Sequence, residues 1–333
     1  MTTKREPSGE DKLIERFFKP LATHSGALAL SDDAAYLTPP AGHDLVLTTD
    51  MTVAGVHFFP DDPPETIGKK ALRVNLSDLA AKGAEPIGAL LAISLSESID
   101  EGWIAKFSRG LGEDCVAFAC PLMGGDTTKT PGPLSISITA IGKVPSGKMV
   151  KRAGAKAGDL VVVSGTIGDA ALALEMKKRF LSGGLGDLNK PQAAELMRRY
   201  RVPEPRMALA PLLRDYANAA MDISDGLVGD LGKLASASRV GAQIETAKIP
   251  LSNPAHDAIA GEAALLETAL TGGDDYEVLA AIPESRFVMF AEAAGKLGVP
   301  VTRIGTFGEG EGIAVLSPKG TPLSFAKASF SHF

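Results

Sequence analysis

The sequence predicts a mixed α/β fold in two domains, and three observations support this prediction. The chain has 333 residues, which is enough for two ordinary domains. Its 45% hydrophobic and 22% charged residues are the balance of a globular protein that can bury a sizeable core. Strand-like apolar runs alternate with segments of helical spacing along most of the chain. We therefore expect each domain to combine a sheet with helices.

Helices and strands alternate through the first predicted domain, residues 1–150. Leu13 and Phe17 are four residues apart, as on one face of a helix, whereas the alternating residues 134–144 are typical of a strand. In chain order we predict a helix at 11–21, strands at 27–30 and 45–49, a helix after Pro63 and Pro64, a strand at 86–95, a helix at 99–118, a short strand into 124–126 and a strand at 134–144.

The segment 145–159 is rich in Lys, Gly and Ala and interrupts both periodicities, which indicates a domain junction. The second predicted domain is residues 151–333. Its predicted elements are a strand at 160–164, helices at 168–179, 191–201 and 207–217, a strand at 219–223, a helix at 226–238, a strand at 242–245, a helical stretch to 270, a strand at 276–282, a helix at 285–297 and strands at 301–307 and 313–316.

Charge and cysteine content exclude several classes of protein. The net charge is -6, and no run of Lys or Arg suggests contact with a phosphate backbone, so nucleic acid is not an expected partner. The longest apolar stretch, 87–95, is too short to cross a bilayer, and residues 1–11 lack the apolar region of a signal peptide. Cys115 and Cys120 are too few for a Cys₄ zinc site, and we interpret them as reduced core residues of a cytoplasmic protein.

Six short apolar runs stop at an aspartate flanked by Gly, Ser or Thr. Carboxylates at strand ends can converge, and two of them about 4 Å apart repel by roughly 4 kcal/mol at an effective dielectric near 20. Such a set predicts Mg²⁺, and Mg²⁺ beside small turn residues predicts phosphate. Taken singly, each aspartate is better explained as an ordinary helix cap or turn residue, so the inference depends on their number and order. The aspartates are Asp32 with Asp33, Asp50, Asp78, Asp126, Asp222 with Asp225, and Asp274 with Asp275.

One segment, Gly142–Met149, almost matches the phosphate-binding loop G-x-x-x-x-G-K-[ST]. Met149 replaces the Ser or Thr that would hold Mg²⁺, and no helical pattern follows, so we do not interpret it as a P-loop. No dinucleotide fingerprint, H-E-x-x-H or G-x-S-x-G motif is present. Phosphoryl transfer by metal ions and positioning is the remaining chemistry.

Six motifs in order give the chain a resemblance to a known family. They are Asp32-Asp33-Ala34-Ala35, Thr48-Thr49-Asp50 with Gly55-Val56-His57-Phe58, Asn75-Leu76-Ser77-Asp78 continuing to Ala84, Gly124-Gly125-Asp126-Thr127-Thr128, Met221-Asp222-Ile223-Ser224-Asp225-Gly226-Leu227 and Gly272-Gly273-Asp274-Asp275-Tyr276-Glu277. Together they resemble the thiamine-monophosphate kinases of the PurM-like, or aminoimidazole ribonucleotide synthetase, superfamily. The resemblance runs from about Asp11 to the last residue.

The resemblance implies a PurM-like two-domain fold, with an N-terminal mixed sheet that pairs in a homodimer and a C-terminal α/β domain. It implies a kinase that uses ATP and Mg²⁺ to phosphorylate thiamine monophosphate to thiamine diphosphate. Transfer would be direct and in line, with catalysis by metal and positioning and no catalytic side chain that forms a covalent intermediate.

The family's metal-binding positions fall on carboxylates and two threonines of this chain. Their chemical task is to hold several Mg²⁺ ions that neutralise phosphate charge as the γ-phosphoryl group moves. The positions are Asp33, Thr48, Thr49, Asp50, Asp78, Asp126, Asp222 and Asp225.

The family's ATP-binding positions fall on Gly125, Asp126, Arg152 and Ser224. Gly125 lets the backbone approach an anion closely, and the Arg152 fork can hold phosphate oxygens. The alternatives are a plain strand-to-turn glycine for Gly125, a solvated linker charge for Arg152 and a helix cap for Ser224.

The family's substrate-binding positions fall on His57, Asp274 and Phe330. His57 fits a hydrogen-bonded structural residue as well. Asp274 could balance a cationic thiazolium ring, although relatives often have the longer glutamate there. Phe330 takes the position of an aromatic residue that stacks on substrate, and a frayed terminus is its alternative.

Other members of the superfamily are competing interpretations. Aminoimidazole ribonucleotide synthetase shares the ATP architecture with a different acceptor. Selenophosphate synthetase and the hydrogenase maturation relative would be expected to have a reactive N-terminal or C-terminal Cys, and this sequence has neither. A catalytically idle Mg²⁺-nucleotide binding protein is disfavoured because no metal aspartate is missing.

Overall fold

The computed structural model describes residues 9–183, 191–327 and 329. The chain divides into two compact units. Unit 1 comprises Met1–Leu76 and Pro86–Ser146, and unit 2 comprises Ser77–Glu85 and Gly147–Phe333. The predicted combination of a mixed sheet with helices is confirmed in both units.

Unit 1 is built on a four-stranded mixed sheet with strand order β1-β4-β2-β3. Strands β1 and β4 pair antiparallel, and β2 and β3 pair parallel. The elements are α1 (Gly9–Leu13), β1 (His43–Val53), α2 (Pro64–Ala81), β2 (Glu85–Ser96), α3 (Glu101–Ala117), β3 (Leu122–Thr130) and β4 (Ser135–Pro145).

The two faces of this sheet differ in burial because side chains alternate along each strand. Ile136, Ile138 and Ala140 of β4 are buried on one face. On the other face, which we call the open face, Leu47 and Met51 of β1 are 64% and 61% exposed. The open face therefore carries apolar side chains that unit 1 does not cover.

Helices α2 and α3 of unit 1 approach each other closely at two glycines. A Cβ at Gly68 would lie 2.4 Å from the carbonyl oxygen of Phe107, and one at Gly110 would lie 2.1 Å from that of Glu65. A side chain at either position would force the helices apart. The Arg73 Nη2 atom also lies 2.8 Å from the Asp114 carboxylate, which joins the same two helices.

Unit 2 contains a six-stranded mixed sheet with order β10-β7-β9-β5-β8-β6. The β10–β7 pair is parallel and the other four pairs are antiparallel. Its elements are β5 (Asp159–Ser164), α4 (Asp169–Leu181), α5 (Pro191–Arg201), α6 (Ala210–Tyr216), β6 (Ala219–Asp222), α7 (Leu227–Ser238), β7 (Gly241–Glu245), α8 (Asn253–Gly261), α9 (Leu265–Thr271), β8 (Val278–Pro283), α10 (Glu284–Lys296), β9 (Val301–Gly308) and β10 (Ile313–Leu316).

Both faces of the six-stranded sheet are buried. On β5, Val161 and Val163 join one core cluster, which includes Leu231 of α7. Leu160 and Val162 join a second cluster, which includes Phe290 of α10. The strands are apolar on both sides for this reason, and helices cover the sheet from two sides.

Two predictions near the N-terminus are wrong. Residues 27–30 are not a strand, because Ser25–Leu30 form tight 3₁₀ turns in which Leu28 and Ala29 have φ of 50° and 52°. The predicted helix at 11–21 breaks at Leu13 into a wider turn at Ile14–Phe18 and a tighter one at Lys19–Leu21.

Two further segments bear on phosphate binding. The strand predicted to stop at residue 126 continues to Thr130, which places Gly124 and Gly125 inside β3. Gly142–Pro145 lie in β4 and residues 146–150 form a turn and coil, a geometry that does not fit a P-loop.

In the described parts of the chain, no helix combines the length and the apolar character that a membrane crossing requires. Cys115 and Cys120 are free and buried, and burial raises the pKa of each thiol to about 12. Neither is a reactive thiolate at neutral pH.

Candidate functional site

A cavity of about 690 Å³ in unit 1 gathers three of the predicted site residues. Asp33, Gly125 and Asp126 line it together. The volume is in the ordinary range for a small-molecule site. The lining combines apolar side chains with carboxylates and hydroxyls. The apolar residues include Ile14, Phe18, Leu30, Leu37, Met123 and Ile141, and the polar ones include Asp32, Thr127, Ser137 and Thr139.

Thr49 lies on the same face of the sheet as this cavity. It is paired with Thr139, which lines the cavity, and directly opposed residues of an antiparallel pair share a face. The Thr139 hydroxyl lies 3.1 Å from that of Thr49, whose own hydroxyl donates to the carbonyl oxygen of Ile138. Thr49 therefore lies on the side of the sheet that carries the cavity lined by Asp33 and Asp126.

Thr48 and Asp50 point to the opposite face of β1, because they alternate with Thr49 along the strand. The backbone N–H of Asp50 donates to Asn75 Oδ1 on α2 at 3.0 Å, and Asn75 Nδ2 donates to the carbonyl of Ala71. The structure thus divides the predicted metal ligands of unit 1 between two faces of one sheet. They are divided because Asp50 lies within β1 and not at its end, so its side chain follows the alternation of the strand.

His57 closes the turn that follows β1. Its Nδ1 accepts the N–H of Val53 at 3.1 Å, and its carbonyl oxygen accepts a hydrogen bond from Lys70 Nζ. Nδ1 is therefore an acceptor, which fixes the neutral tautomer with its proton on Nε2. This arrangement fits a structural role and leaves substrate contact as a proposal.

In unit 2, the turn between β6 and α7 carries Ser224 and Asp225. Asp230 is fully buried, and its Oδ2 accepts the backbone N–H groups of Ser224 and Asp225 at 3.0 and 2.9 Å. Lys233 contacts both the Asp225 and the Asp230 carboxylates. Burial raises the pKa of Asp230, and the hydrogen bond from Lys233 opposes that rise. Asp230 and Lys233 thus fix the turn and its charge.

The segment 272–277 brings Asp274 to the same turn. The backbone N–H of Asp274 donates to the carbonyl oxygen of Ser224 at 2.9 Å, and that of Tyr276 donates to Ile223 at 2.8 Å. Ser224, Asp225 and Asp274 are therefore neighbours. The third predicted substrate residue, Phe330, lies outside the described residues.

Lys82 is a residue that the sequence analysis missed. It follows α2 by one residue, and its Nζ donates to the carbonyl oxygen of Ala220 on β6 at 2.7 Å. Burial lowers the pKa of Lys82, and the positive charge of Arg152 lowers it further. The carboxylates of Asp222 and Asp78 act in the opposite direction and raise it. Lys82 therefore lies within electrostatic reach of three predicted site residues. Its spacing of four from Asp78 at the end of a helix was the available signal.

The described side chains fit Mg²⁺ that arrives with phosphate rather than a preformed protein cage. Among residues 9–183, 191–327 and 329, no group of three or more His, Cys, Asp or Glu is arranged to hold a metal ion. Kinase Mg²⁺ typically takes only one or two carboxylates and completes its octahedron with water and substrate phosphate oxygens. The hard oxygen donors Asp33 and Asp126 share one cavity and meet that requirement.

Comparisons with known proteins define the class first. The family model described as "AIR synthase related protein, N-terminal domain" matches residues 31–144. The model described as "AIR synthase related protein, C-terminal domain" matches residues 156–317. The chain thus has both domains of an AIR synthase related protein, in that order.

Individual relatives narrow the assignment. The chain is 40% identical over 330 residues to thiamine-monophosphate kinase of Caulobacter vibrioides, covering 98% of this chain and 91% of that protein. It is 40% identical over 328 residues to the Escherichia coli K12 thiamine-monophosphate kinase, covering 98% of each. A solved structure named AaThiL, complexed with AMPPCP and TMP, is 33% identical, covers 100% of both chains and has a TM-score of 0.77. The chain belongs to the thiamine-monophosphate kinase family.

Proposed function

We propose that this chain is a kinase that transfers the γ-phosphoryl group of ATP to thiamine monophosphate, yielding thiamine diphosphate and ADP. The observation that carries the proposal is the full-length similarity to AaThiL, which is complexed with AMPPCP and TMP. AMPPCP is a non-hydrolysable analogue of ATP, so that complex pairs donor and acceptor. The cavity of unit 1 supplies a site of suitable chemistry.

ATP is assigned to the cavity of unit 1. Its apolar lining residues, such as Leu37 and Met123, suit a purine ring, and Gly125 and Asp126 suit phosphates and their cations. Ser224 and Arg152, both in unit 2, are proposed as ATP-binding residues because they resemble the family's ATP-binding positions. The exposed Arg152 guanidinium can hold phosphate oxygens with two parallel hydrogen bonds.

The proposed Mg²⁺ ligands are the residues that resemble the family's metal positions. Asp33 and Asp126 line the cavity, and Thr49 lies on the same face of the sheet. This shared location supports the assignment of these three residues as Mg²⁺ ligands most directly. When bound, Mg²⁺ would neutralise phosphate oxygens while charge shifts during transfer. The remaining proposed ligands are Thr48, Asp50, Asp78, Asp222 and Asp225.

Direct in-line transfer between the two bound substrates is the proposed route. The phosphate of thiamine monophosphate is itself the nucleophile, so the protein has to position two anions and shield their repulsion. Lys82 and Arg152 supply positive charge for this task. Both cysteines are buried with pKa values of about 12, and His57 Nδ1 is occupied by Val53, which disfavours a phosphorylated protein intermediate.

Acceptor recognition is assigned to His57, Asp274 and Phe330. The thiazolium ring of thiamine carries a fixed positive charge, and the Asp274 carboxylate is half-buried beside Ser224, where it can balance that charge. His57 and Phe330 would add contacts to the rings.

Assembly and location complete the proposal. A homodimer formed by the open face of unit 1 would cover the exposed Leu47 and Met51.

Domains at 1–150 and 151–333 are supported by the two family-model matches, which leave the boundary between residues 144 and 156. The cytoplasm is the proposed compartment, where ATP is available and thiols such as Cys115 stay reduced.

A substrate-panel kinase assay tests the function. Purified protein with Mg²⁺ and ATP is offered thiamine, thiamine monophosphate and an aminoimidazole ribonucleotide precursor. We expect ADP formation with thiamine monophosphate only. Asp126→Asn removes a cavity carboxylate and should abolish turnover, whereas Asp257→Asn, at an exposed residue of α8 outside the cavity, should retain it.

Two results would decide against the proposal. Turnover of the aminoimidazole precursor would indicate an aminoimidazole ribonucleotide synthetase activity. ATP binding with no turnover of any substrate in the panel would indicate a catalytically idle nucleotide-binding protein.

A further inference from the structure

The segment Gly272–Tyr276 has an unusual backbone. Asp274 and Tyr276 are non-glycine residues with φ of 74° and 51°, in the left-handed region that costs an L-residue about 1–2 kcal/mol. Such conformations persist where the surroundings hold them, and they cluster at ligand-binding sites. The surroundings of this segment therefore have to be strongly constraining.

Backbone contacts supply the first constraint. Asp274 and Tyr276 each donate a backbone hydrogen bond to the β6–α7 turn, at Ser224 and Ile223. A Cβ at Gly273 would lie 2.2 Å from the carbonyl oxygen of Ser224, so the two segments are in direct contact. The position of Asp274 is thus tied to the turn that carries Ser224 and Asp225.

Buried carboxylates on either side of Tyr276 supply the second constraint. Both oxygens of Asp275 lie 2.9 Å from the N–H of Gly168. Glu277 is fully buried, and its carboxylate accepts hydrogen bonds from Arg199, Arg206 and Ser164. Asp275 and Glu277 therefore anchor the segment to the interior of unit 2.

Between those anchors, the Tyr276 side chain returns to the residue two positions before it. Its hydroxyl donates to Asp274 Oδ1 at 3.1 Å. A tyrosine hydroxyl on an ionised carboxylate is a charge-assisted hydrogen bond, which restricts the rotation of the short aspartate side chain. Because the backbone on both sides is fixed, this bond holds Oδ1 of the carboxylate at the Tyr276 hydroxyl.

We propose that Tyr276 is a positioning residue for the acceptor: it holds the Asp274 carboxylate in the orientation that pairs with a cationic ring. This inference rests on the proposed function and deepens it, because it assigns recognition of the acceptor's positive charge to a tyrosine–aspartate pair on a strained turn. Tyr276 acts through Asp274 and takes no part in the transfer of the phosphoryl group.

The test compares Tyr276→Phe with Tyr216→Phe, each of which removes one hydroxyl and keeps the ring. Tyr216 packs on Phe290 elsewhere in unit 2, with ring centroids 5.9 Å apart. Binding of thiamine monophosphate, and of an analogue whose thiazolium is replaced by a neutral thiophene, is measured by calorimetry. KM for each substrate and kcat are measured alongside.

We expect Tyr276→Phe to weaken binding of thiamine monophosphate and raise its KM by about tenfold, since a lost hydrogen bond to a charged group is of that size. The neutral analogue, the KM for ATP and kcat should change less than twofold. Tyr216→Phe should match the wild type throughout. In an Asp274→Asn background, Tyr276→Phe should have no further effect on the cationic acceptor.

Equal weakening of the cationic and neutral acceptors, or no weakening of either, would overturn the inference and leave the proposed function intact. A wild-type protein that neither binds nor turns over thiamine monophosphate would overturn both.

Discussion

At the scale of single residues, the carboxylates proposed as Mg²⁺ ligands in unit 2 already have cationic neighbours in the chain itself. Lys233 contacts Asp225 and Asp230, and Lys82 lies within reach of Asp222. An ammonium group neutralises a carboxylate much as a bound cation would. A divalent ion at Asp225 must therefore displace Lys233 or share the carboxylate with it, which lowers the affinity of that position.

Removing this competing charge should strengthen metal binding. Lys233 is 39% exposed, so its ion pair with Asp225 is partly screened and is worth up to about 1 kcal/mol. Lys233→Met should tighten Mn²⁺ binding about threefold to fivefold, measured by electron paramagnetic resonance in the presence of AMPPCP.

The matched control is Lys233→Arg, which keeps the charge and should leave Mn²⁺ affinity unchanged. In an Asp225→Asn background, the effect of Lys233→Met should disappear. Unchanged or weaker Mn²⁺ binding in Lys233→Met would contradict the assignment of Asp225 to metal.

Sequence reasoning could find the acidic residues of the site but not their partners. Asp33, Gly125 and Asp126 were predicted from motifs, and they line one cavity. Asp230 and Lys82 act through hydrogen bonds to backbone groups of other segments, at Ser224 and Ala220. Such contacts depend on how the chain folds around the turn and on how elements pack, and the spacing of Lys82 from Asp78 was the one sequence signal for them.

At the scale of elements, strand β3 shows why one motif contains two glycines. A Cβ at Gly125 would lie 1.8 Å from the carbonyl oxygen of Leu91 on the paired strand β2. The nearest atom to a Cβ at Gly124 is Leu90 Cδ2, at an ordinary 3.4 Å. Gly125 is therefore needed for strand pairing, whereas Gly124 has room for a methyl group.

Alanine substitutions should separate these two roles. Gly125→Ala forces a backbone shift in β3, and overpacking of this kind costs about 1–3 kcal/mol, so we expect Tm to fall by about 5 °C. Gly124→Ala should keep the wild-type Tm and weaken binding of AMPPCP if phosphate approaches the strand there. Tm is measured by circular dichroism during thermal unfolding, and AMPPCP binding is measured by calorimetric titration. Equal Tm values for the two variants would contradict this account.

The regular elements of unit 2 were more predictable than the N-terminal segment. The predicted helix at 191–201 and the predicted strand at 313–316 have the bounds found in the structure. Their apolar spacing reflects a core that buries them. Residues 27–30 are as apolar as a strand but turn because Leu28 and Ala29 adopt left-handed backbone, which apolar spacing does not indicate.

At the scale of the whole molecule, the proposed homodimer would link assembly to nucleotide binding through the open face of unit 1. Thr139 and Ile141 line the cavity and lie on the same face as Leu47, with which Ile141 is paired. A second copy on this face would bury Leu47 and Met51 and would also border the cavity. We therefore expect the proposed dimer and the proposed ATP site to depend on each other.

A charged side chain on the open face should separate the protomers. Leu47→Asp and Met51→Asp should each convert a dimer to a monomer in analytical ultracentrifugation and weaken AMPPCP binding, because burying an unpaired carboxylate is costly. Val116→Asp makes the same change at a residue of α3 that is 82% exposed, and it should leave both properties unchanged. A wild-type protein that sediments as a monomer at micromolar concentration would contradict the proposed assembly.

The central claim is direct transfer from ATP to thiamine monophosphate, and a single-turnover reaction with γ-³²P-labelled ATP tests it most directly. Protein in excess over ATP is mixed with Mg²⁺ and thiamine monophosphate, and acid-quenched samples are resolved into nucleotide, thiamine phosphates and protein. The account predicts that label leaves ATP and enters thiamine diphosphate at the same rate, with none on the protein. Label on His57 before thiamine diphosphate appears, or no labelled thiamine diphosphate at all, would contradict it.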